Sequence, residues 1–345
     1  MASSGSMLFL SREDLLALGA GDMNTIVPQV QAAFDAWNNN DVIQPPKVTL
    51  KYSDSHERYG GLVNVLPAAL RDSGGAIFGL KALGAMPSNV GNGIPRATGL
   101  ITLFDGETKT PIVCMDAQVI SAMRTGAVTA LAAKKLCPAG ITRVGLIGAG
   151  VNMRTQLLGL VHAAPSIAQV KVYSRGDSKN DFVRTMAARF PDIDFAATTT
   201  AQQAVADAEV VVTCVANADT PVVSAADLSQ PGLTVFNIGC LENEPILLKS
   251  MDLIAADYWE HSKHRGVQTH AVAYQKGYIT DTDVVDLKDI MSGAAEGRTT
   301  DSQRIFFCPT GLGVEDIAVA RELFRLAVER GVGNKLELWS GQPWI

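Results

Sequence analysis

Apolar positions in the first third of the chain follow two different periods. Within residues 23–38, Ile26, Val30, Ala33, Phe34 and Trp37 recur at three- and four-residue spacing, which predicts an amphipathic helix. Residues 8–10 read as a short strand, and Ser11 with Asp14 three positions on predicts the cap of a second, shorter helix. Beyond Pro45-Pro46 the pattern changes to short strand-like runs at residues 47–52, 61–66, 76–83, 96–104 and 111–115. Turn residues such as Asp105-Gly106 and the NVGNGI segment separate them, which predicts a hairpin-rich, mostly antiparallel sheet. This part of the chain reads as α+β.

Residues 118–136 are almost entirely good helix formers and small residues, stopped by Pro138 and Gly140. Strand and helix patterns then alternate. Strands are expected at residues 143–147, 170–173, 195–197, 210–215, 234–238 and 253–256, with helices at 153–162, 181–189 and 201–206. Such alternation predicts a doubly wound parallel sheet. After Val314 one more amphipathic helix closes the pattern. The fold class is therefore α/β, with a Rossmann-type doubly wound sheet inserted into an α+β domain. The expected division is residues 7–120 plus 318–345 for the outer domain and 121–317 for the inserted one.

At 345 residues, 47% hydrophobic and 19% charged, the chain has the make-up of a globular protein with sizeable cores. A formal charge of −6 with no Lys/Arg run argues against nucleic acid or an anionic membrane as partner, and for small-molecule chemistry. Residues 1–6, MASSGS, read as an added leader ahead of a natural start near Met7, with no signal peptide, so a cytoplasmic protein is expected. The five cysteines are scattered singly, without disulfide or zinc spacing, and read as mostly buried small hydrophobes. His261 and His264 read as a solvated or hydrogen-bonding pair, and no metal site is expected.

Candidate chemistry begins at RVGLIGAGVNMRTQLL. An apolar strand there turns at Gly148-Ala149-Gly150 into a helix opened by Val151 and Asn152. Glycine lets the backbone turn tightly and approach a pyrophosphate, and the amides of the helix start attract anionic oxygens. The usual third glycine is replaced by Met153. After the next strand, where an acid would bind the ribose hydroxyls of NAD, stand Ser174, Arg175 and, further on, Lys179. A hydroxyl with two cations suits a 2′-phosphate, so NADP(H) is favoured, and NAD(H) through Asp177 is the alternative.

Lys81 lies inside an apolar strand and Arg124 inside a small-residue helix, and charges so placed are paired or functional. With Arg96 they could hold one or two substrate carboxylates. The alternative for each is a buried salt bridge with Asp116, Glu107 or another local acid.

The runs GLITLFDGETKTPIVCMDAQVISAMRTGAVTALAAKKL, VGLIGAGVNMRTQ, VKVYSR, ADAEVVVTC and TGLGVEDIAVA together resemble the ornithine cyclodeaminase and mu-crystallin family over nearly the whole chain. The resemblance implies a homodimer, with a substrate and dimerisation domain around a Rossmann domain. It further implies that Lys81 stands at the substrate, that Arg124 holds the α-carboxylate, and that Lys47 is near another cationic position. Gly148, Gly150 and Asn152 match the nucleotide turn, Ser174 and Arg175 the NADPH pattern, and Gly311-Leu312-Gly313 a loop near the nicotinamide. Where cyclodeaminases place a catalytic aspartate, this chain has Glu242, a candidate proton-transfer residue. A narrower likeness, in MLFLSREDL, NNNDVIQPPK, Arg96-Ala97-Thr98-Gly99 and Asp257-Tyr258-Trp259, is to the branch that oxidises N-(2-amino-2-carboxyethyl)-glutamate. The implied function is an NAD(P)-dependent oxidoreductase acting on the C–N bond of an α-amino or α-imino acid. Redox-neutral cyclodeamination and non-catalytic NADPH-dependent ligand binding are the alternatives.

Overall fold

A computed structural model describes residues 5–52, 60–72, 74–216 and 220–340. The chain forms two compact units, Met1–Arg124 with Leu312–Ile345, and Thr125–Gly311. These boundaries differ by a few residues from the 120/121 and 317/318 divisions expected above.

The chain opens with β1 (Gly5–Leu10), α1 (Arg12–Ala17), α2 (Met23–Asn38), β2 (Val42–Ile43), β3 (Val48–Leu50), β4 (Leu62–Asp72), β5 (Gly75–Ala85), β6 (Ala97–Asp105), β7 (Pro111–Asp116) and α3 (Gln118–Leu136). The second unit continues with β8 (Arg143–Ile147), α4 (Val151–Ala163), β9 (Gln169–Tyr173), α5 (Ser178–Arg189), β10 (Asp194–Ala197), α6 (Ala201–Val205), β11 (Val210–Thr213) and β12 (Thr234–Asn237). Then follow β13 (Leu253–Ala256), α7 (Trp259–Ser262), α8 (Thr269–Gln275), β14 (Val284–Asp286), α9 (Leu287–Ser292) and β15 (Ile305–Cys308). The chain returns to the first unit with α10 (Gly313–Arg330) and β16 (Asn334–Trp339).

In the first unit the sheet runs β16-β1-β7-β6-β5-β4-β2, with β3 also paired to β4. Only β1 and β7 pair in parallel among the described strands of this sheet. Strand β1 starts at Gly5, ahead of Met7, and its Gly5 and Ser6 pair with β16, so these two residues of the segment read as a leader belong to the sheet. The Ser11 cap forms as read: its hydroxyl accepts from the Asp14 amide and the Asp14 carboxylate accepts from the Ser11 amide.

Register decides which face each side chain takes. Leu66, Lys81, Ile101 and Met115 are neighbours across β4, β5, β6 and β7, and all four are buried. Helices α2 and α10 pack on one another and both lie against β4, with α10 also on β5 and β6. Burial of these apolar rows is the main stabilising term of the unit, at roughly 25 cal/mol per Å². The next row, Val48, Val65, Ala82 and Leu100, takes the opposite face because side chains alternate along strands.

The second unit is a parallel sheet ordered β10-β9-β8-β11-β12-β15-β13-β14. Strands β11, β12 and β15 are buried at every residue, as expected where helices cover both faces. Helix α4 crosses close to α3 at Gly159, where a Cβ would collide with the carbonyl oxygen of Gly126. Met153, at the place of the third fingerprint glycine, is fully buried. Gly159→Ala should cost about 1–3 kcal/mol by overpacking, read as a lowered midpoint in chemical denaturation. An unchanged midpoint would show that the two helices can separate freely.

Candidate functional site

The chain crosses from β8 to β9 and β10 on one side, and then returns to place β11 on the other side of β8. The turn after β8 therefore sits where the strand order reverses, the position at which open α/β sheets leave a crevice for ligands. Gly148 has φ of +114°, and a Cβ there would collide with the Cys214 carbonyl. Only glycine fits this point. Gly148 N–H donates to the Tyr173 carbonyl at 2.8 Å, which fixes the turn against β9. Gly150 is the N-cap of α4 without a side-chain cap, a Cβ on it would meet nothing within 4 Å, and Val151 and Asn152 are exposed. Open space against uncapped helix amides fits a pyrophosphate.

At the end of β9, Ser174 bonds the Gly176 carbonyl (3.2 Å) and the Ser178 hydroxyl (2.9 Å), and Lys179 Nζ donates to the Ser174 carbonyl (3.0 Å). Arg175 is exposed. Asp177, also exposed, caps α5 in position only and accepts from Asn180 Nδ2 at 2.5 Å. The hydroxyl and two cations thus fall within the turn after β9 and the first turn of α5.

The first unit holds a buried cluster of four charges. Lys81 projects from β5 under α10, where its ammonium lies 2.6 Å from Asp316 Oδ2 and donates to the Ser121 hydroxyl at 3.0 Å. Arg124, on α3, donates from Nε to Asp316 Oδ1 (3.2 Å) and from a terminal nitrogen to Glu315 Oε2 (2.6 Å). Glu315 also accepts from the Leu312 amide at the start of its own helix. Lys81, Glu315 and Asp316 are essentially inaccessible to solvent. Burial, and then the neighbouring Arg124, push the Lys81 ammonium down to about 8, against the upward pull of Asp316 and Glu315.

The structure thus brings Lys81 and Arg124 together on one carboxylate. Their counter-ions are Glu315 and Asp316, not the Asp116 or Glu107 suggested by proximity in sequence; the Asp116 carboxylate instead accepts from the amides that open α3. Sequence reasoning missed both acids. The available signal was two adjacent carboxylates in the first turn of an amphipathic helix. Arg96 is exposed in the turn before β6, and Lys47 is half-buried ahead of β3. At Gly313 a Cβ would press on the carbonyls of Leu66 and Pro67, so the need for glycine there is the packing of α10 on β4.

Glu242 follows β12 in the second unit. Its side chain is fully buried and accepts from the Thr213 hydroxyl (2.9 Å), the Val215 amide (2.5 Å) and the Gly239 amide (2.9 Å). Burial raises its carboxyl to about 7, with these donors opposing the rise. Such a group ties together the loops that follow β11 and β12. Asp257 does the equivalent work after β13, accepting from the amides of Thr310 (2.8 Å) and Gly311 (2.6 Å). His261 meets Tyr258 edge to face, with ring centroids 4.5 Å apart, and His264 bonds Glu260 at 3.4 Å.

A glycine turn at the strand-order switch of a parallel sheet, running into an uncapped helix, defines a Rossmann-type nucleotide-binding fold. Residues 17–330 match the ornithine cyclodeaminase/mu-crystallin family, and the chain belongs to that family. It is 29% identical to the N-((2S)-2-amino-2-carboxyethyl)-L-glutamate dehydrogenase of Staphylococcus aureus, over 96% of this chain and 99% of that one. Among solved structures it resembles the Δ1-pyrroline-2-carboxylate reductase of Thermococcus litoralis in complex with NADH and L-proline, with 26% identity, TM-score 0.87, and 95% and 99% of the two chains covered. An archaeal alanine dehydrogenase dimer with bound NAD gives 28% identity, TM-score 0.87, and 97% and 100% coverage.

Glu242→Ala should leave two amides and a hydroxyl without their acceptor, at a cost of about 1–3 kcal/mol for each buried group left unsatisfied. Thermal denaturation reads this directly, and a variant as stable as the parent would show that the loops do not depend on it.

Proposed function

We propose that this protein is an NAD(P)-dependent oxidoreductase acting on the carbon–nitrogen bond of an α-amino or α-imino acid. The observation that carries the reading is the Lys81–Arg124 pair, buried with its counter-ions in a chain whose other unit supplies a nucleotide turn. Ion clusters of this kind add little net stability compared with apolar packing, and buried charges with a shifted proton affinity concentrate at functional sites. Relatives that reduce a cyclic imino acid or oxidise alanine and a secondary amine support it.

Gly148, Ala149, Gly150, Val151 and Asn152 would hold the pyrophosphate, with Gly311 in the loop near the nicotinamide. When bound, the nicotinamide supplies the hydride donor or acceptor. Arg124 receives the α-carboxylate and fixes the orientation of the α-carbon. Lys81, poised near neutrality by burial, gives a proton to the nitrogen during reduction and takes one during oxidation. Arg96 and Lys47 contact the remainder of a longer substrate, including a second carboxylate. Cyclodeamination is not favoured, because the acid at the expected position, Glu242, faces the protein interior.

NADP(H) is the proposed cofactor. Ser174, Arg175 and Lys179 offer the 2′-phosphate a hydroxyl and two cations, and Asp177 stands at the N-cap of α5 with its carboxylate taken by Asn180. The first unit is assigned substrate binding and homodimer formation. Val48, Leu50, Val63 and Leu100 leave its outer sheet face apolar and exposed, a surface suited to a second copy of the same face. Free cysteines fit a cytoplasmic setting, and no helix among the described residues is long and apolar enough to cross a membrane.

Screening α-amino acids, N-alkylated amino acids and cyclic imino acids for absorbance change at the nicotinamide band tests the activity. Turnover should appear and fall by about 10²-fold or more in kcat/KM for Arg124→Ala; no turnover of any member would overturn the reading. Arg175→Ala should raise KM for NADPH about tenfold with little effect on NADH. A parent enzyme that prefers NADH would refute the cofactor assignment. Light scattering should give a dimer that Leu100→Glu converts to monomer, whereas a monomeric parent would refute the assembly.

A further inference from the structure

The two cations of the proposed substrate site are not independent. Lys81 comes from β5 and Arg124 from α3, and one carboxylate, on the returning helix α10, touches both. Its Oδ2 faces the ammonium at 2.6 Å and its Oδ1 faces the guanidinium Nε at 3.2 Å. Glu315 holds another nitrogen of the guanidinium at 2.6 Å and is itself pinned by the Leu312 amide. The Ser121 hydroxyl meets the ammonium from α3. On the sheet, the neighbours in register with Lys81 are Leu66 and Ile101, whose side chains offer no polar atom.

Resting on the reaction proposed above, we infer that Asp316 is a positioning residue: by bridging Lys81 and Arg124 it sets the orientation of both cations and keeps the Lys81 ammonium charged in an apolar pocket. A bridge between two cations needs two acceptor oxygens. Asparagine, though the same size, has one oxygen and one NH2 group, so it must turn a donor toward one of the cations. The groups that set the charge of Lys81 are Asp316 and Glu315 on α10, which raise its proton affinity, and Arg124 on α3 together with burial, which lower it. Removing the Asp316 charge deletes a raising contribution, so the Lys81 midpoint moves to lower pH. The shift has the same sign whether Lys81 is used as the acid in reduction or as the base in oxidation.

The test compares full-length parent, Asp316→Asn and Asp316→Glu enzymes, each saturated with cofactor. One readout is the pH profile of kcat and kcat/KM. The other is the titration of 13Cε-labelled lysine followed by NMR, with Lys81 assigned from Lys81→Met. Asp316→Asn should shift both the kinetic limb and the Lys81 midpoint acidward by about one pH unit or more. It should also lower kcat by about 10²-fold while leaving the cofactor KM unchanged. Asp316→Glu should restore the midpoint toward that of the parent while kcat stays low, because the carboxylate is displaced by one methylene. A purely structural Asp316 would change the melting temperature without moving the midpoint, and that result overturns the inference. If the parent turns over no amine or imine, the reaction assignment fails, and the NMR midpoint still decides the role of Asp316. If Asp316→Asn does not fold, Asp316→Glu decides: a retained midpoint with lowered kcat supports the inference, and an unchanged kcat overturns it.

Discussion

The first unit depends on placing four charges, Lys81, Arg124, Glu315 and Asp316, inside an apolar interior. Each is costly to remove from water alone, and the set is tolerable only because the two positive and two negative groups meet at ion-pair distance. That requirement dictates much of the topology. Strand β5 must present position 81 to the covered face, α3 must follow β7 closely enough to bring in position 124, and the chain must return after the whole second unit to lay the first turn of α10 over both. Breaking one partner would leave an uncompensated charge, which is why the cluster is tightly determined by its surroundings.

The second unit answers a different constraint, that of approach to an anion. A parallel sheet buried on both faces puts the ends of β8, β11 and β12 side by side, and the glycine at 148 lets the turn come within contact of the Cys214 backbone. Buried carboxylates then fix the surrounding loops. Glu242 gathers the segments after β11 and β12, and Asp257 gathers the Thr310-Gly311 segment after β15. Backbone donors satisfy both, so their loops are held by bonds that water cannot easily replace.

Much of this was legible in the sequence because it is local. The Ser11 cap, the helix at residues 23–38, the strand–turn–helix at 143–158 and the alternation that follows are all carried by short-range periodicity. Lys81 and Arg124 stood out for the same reason, as charges within apolar runs. What the sequence concealed is long-range. The counter-ions lie 191 residues or more from Arg124, and no local pattern links GVEDIAVA to SAMRT. Strands β14, β15 and β16 are short and gain their identity from pairing, with β16 completing an edge against β1. Glu242 was read as a chemical group because it stands where the family resemblance places an aspartate; only the fold shows that its side chain turns inward toward three donors. Gly313 stands in a segment similar to a cofactor loop, while its contact with the Leu66 and Pro67 carbonyls is a packing constraint.

The central claim is that a hydride is exchanged at the α-carbon of an amino or imino acid held by Arg124 beside Lys81. The most direct measurement is to supply NADPH deuterated at C4 on the transferable face with a cyclic or open-chain α-imino acid, and locate the label in the product. The account predicts one deuterium at the α-carbon of the amino acid formed and stoichiometric oxidation of the nicotinamide. Product without deuterium at that carbon, or ammonia release with no net change in the nicotinamide, would contradict it.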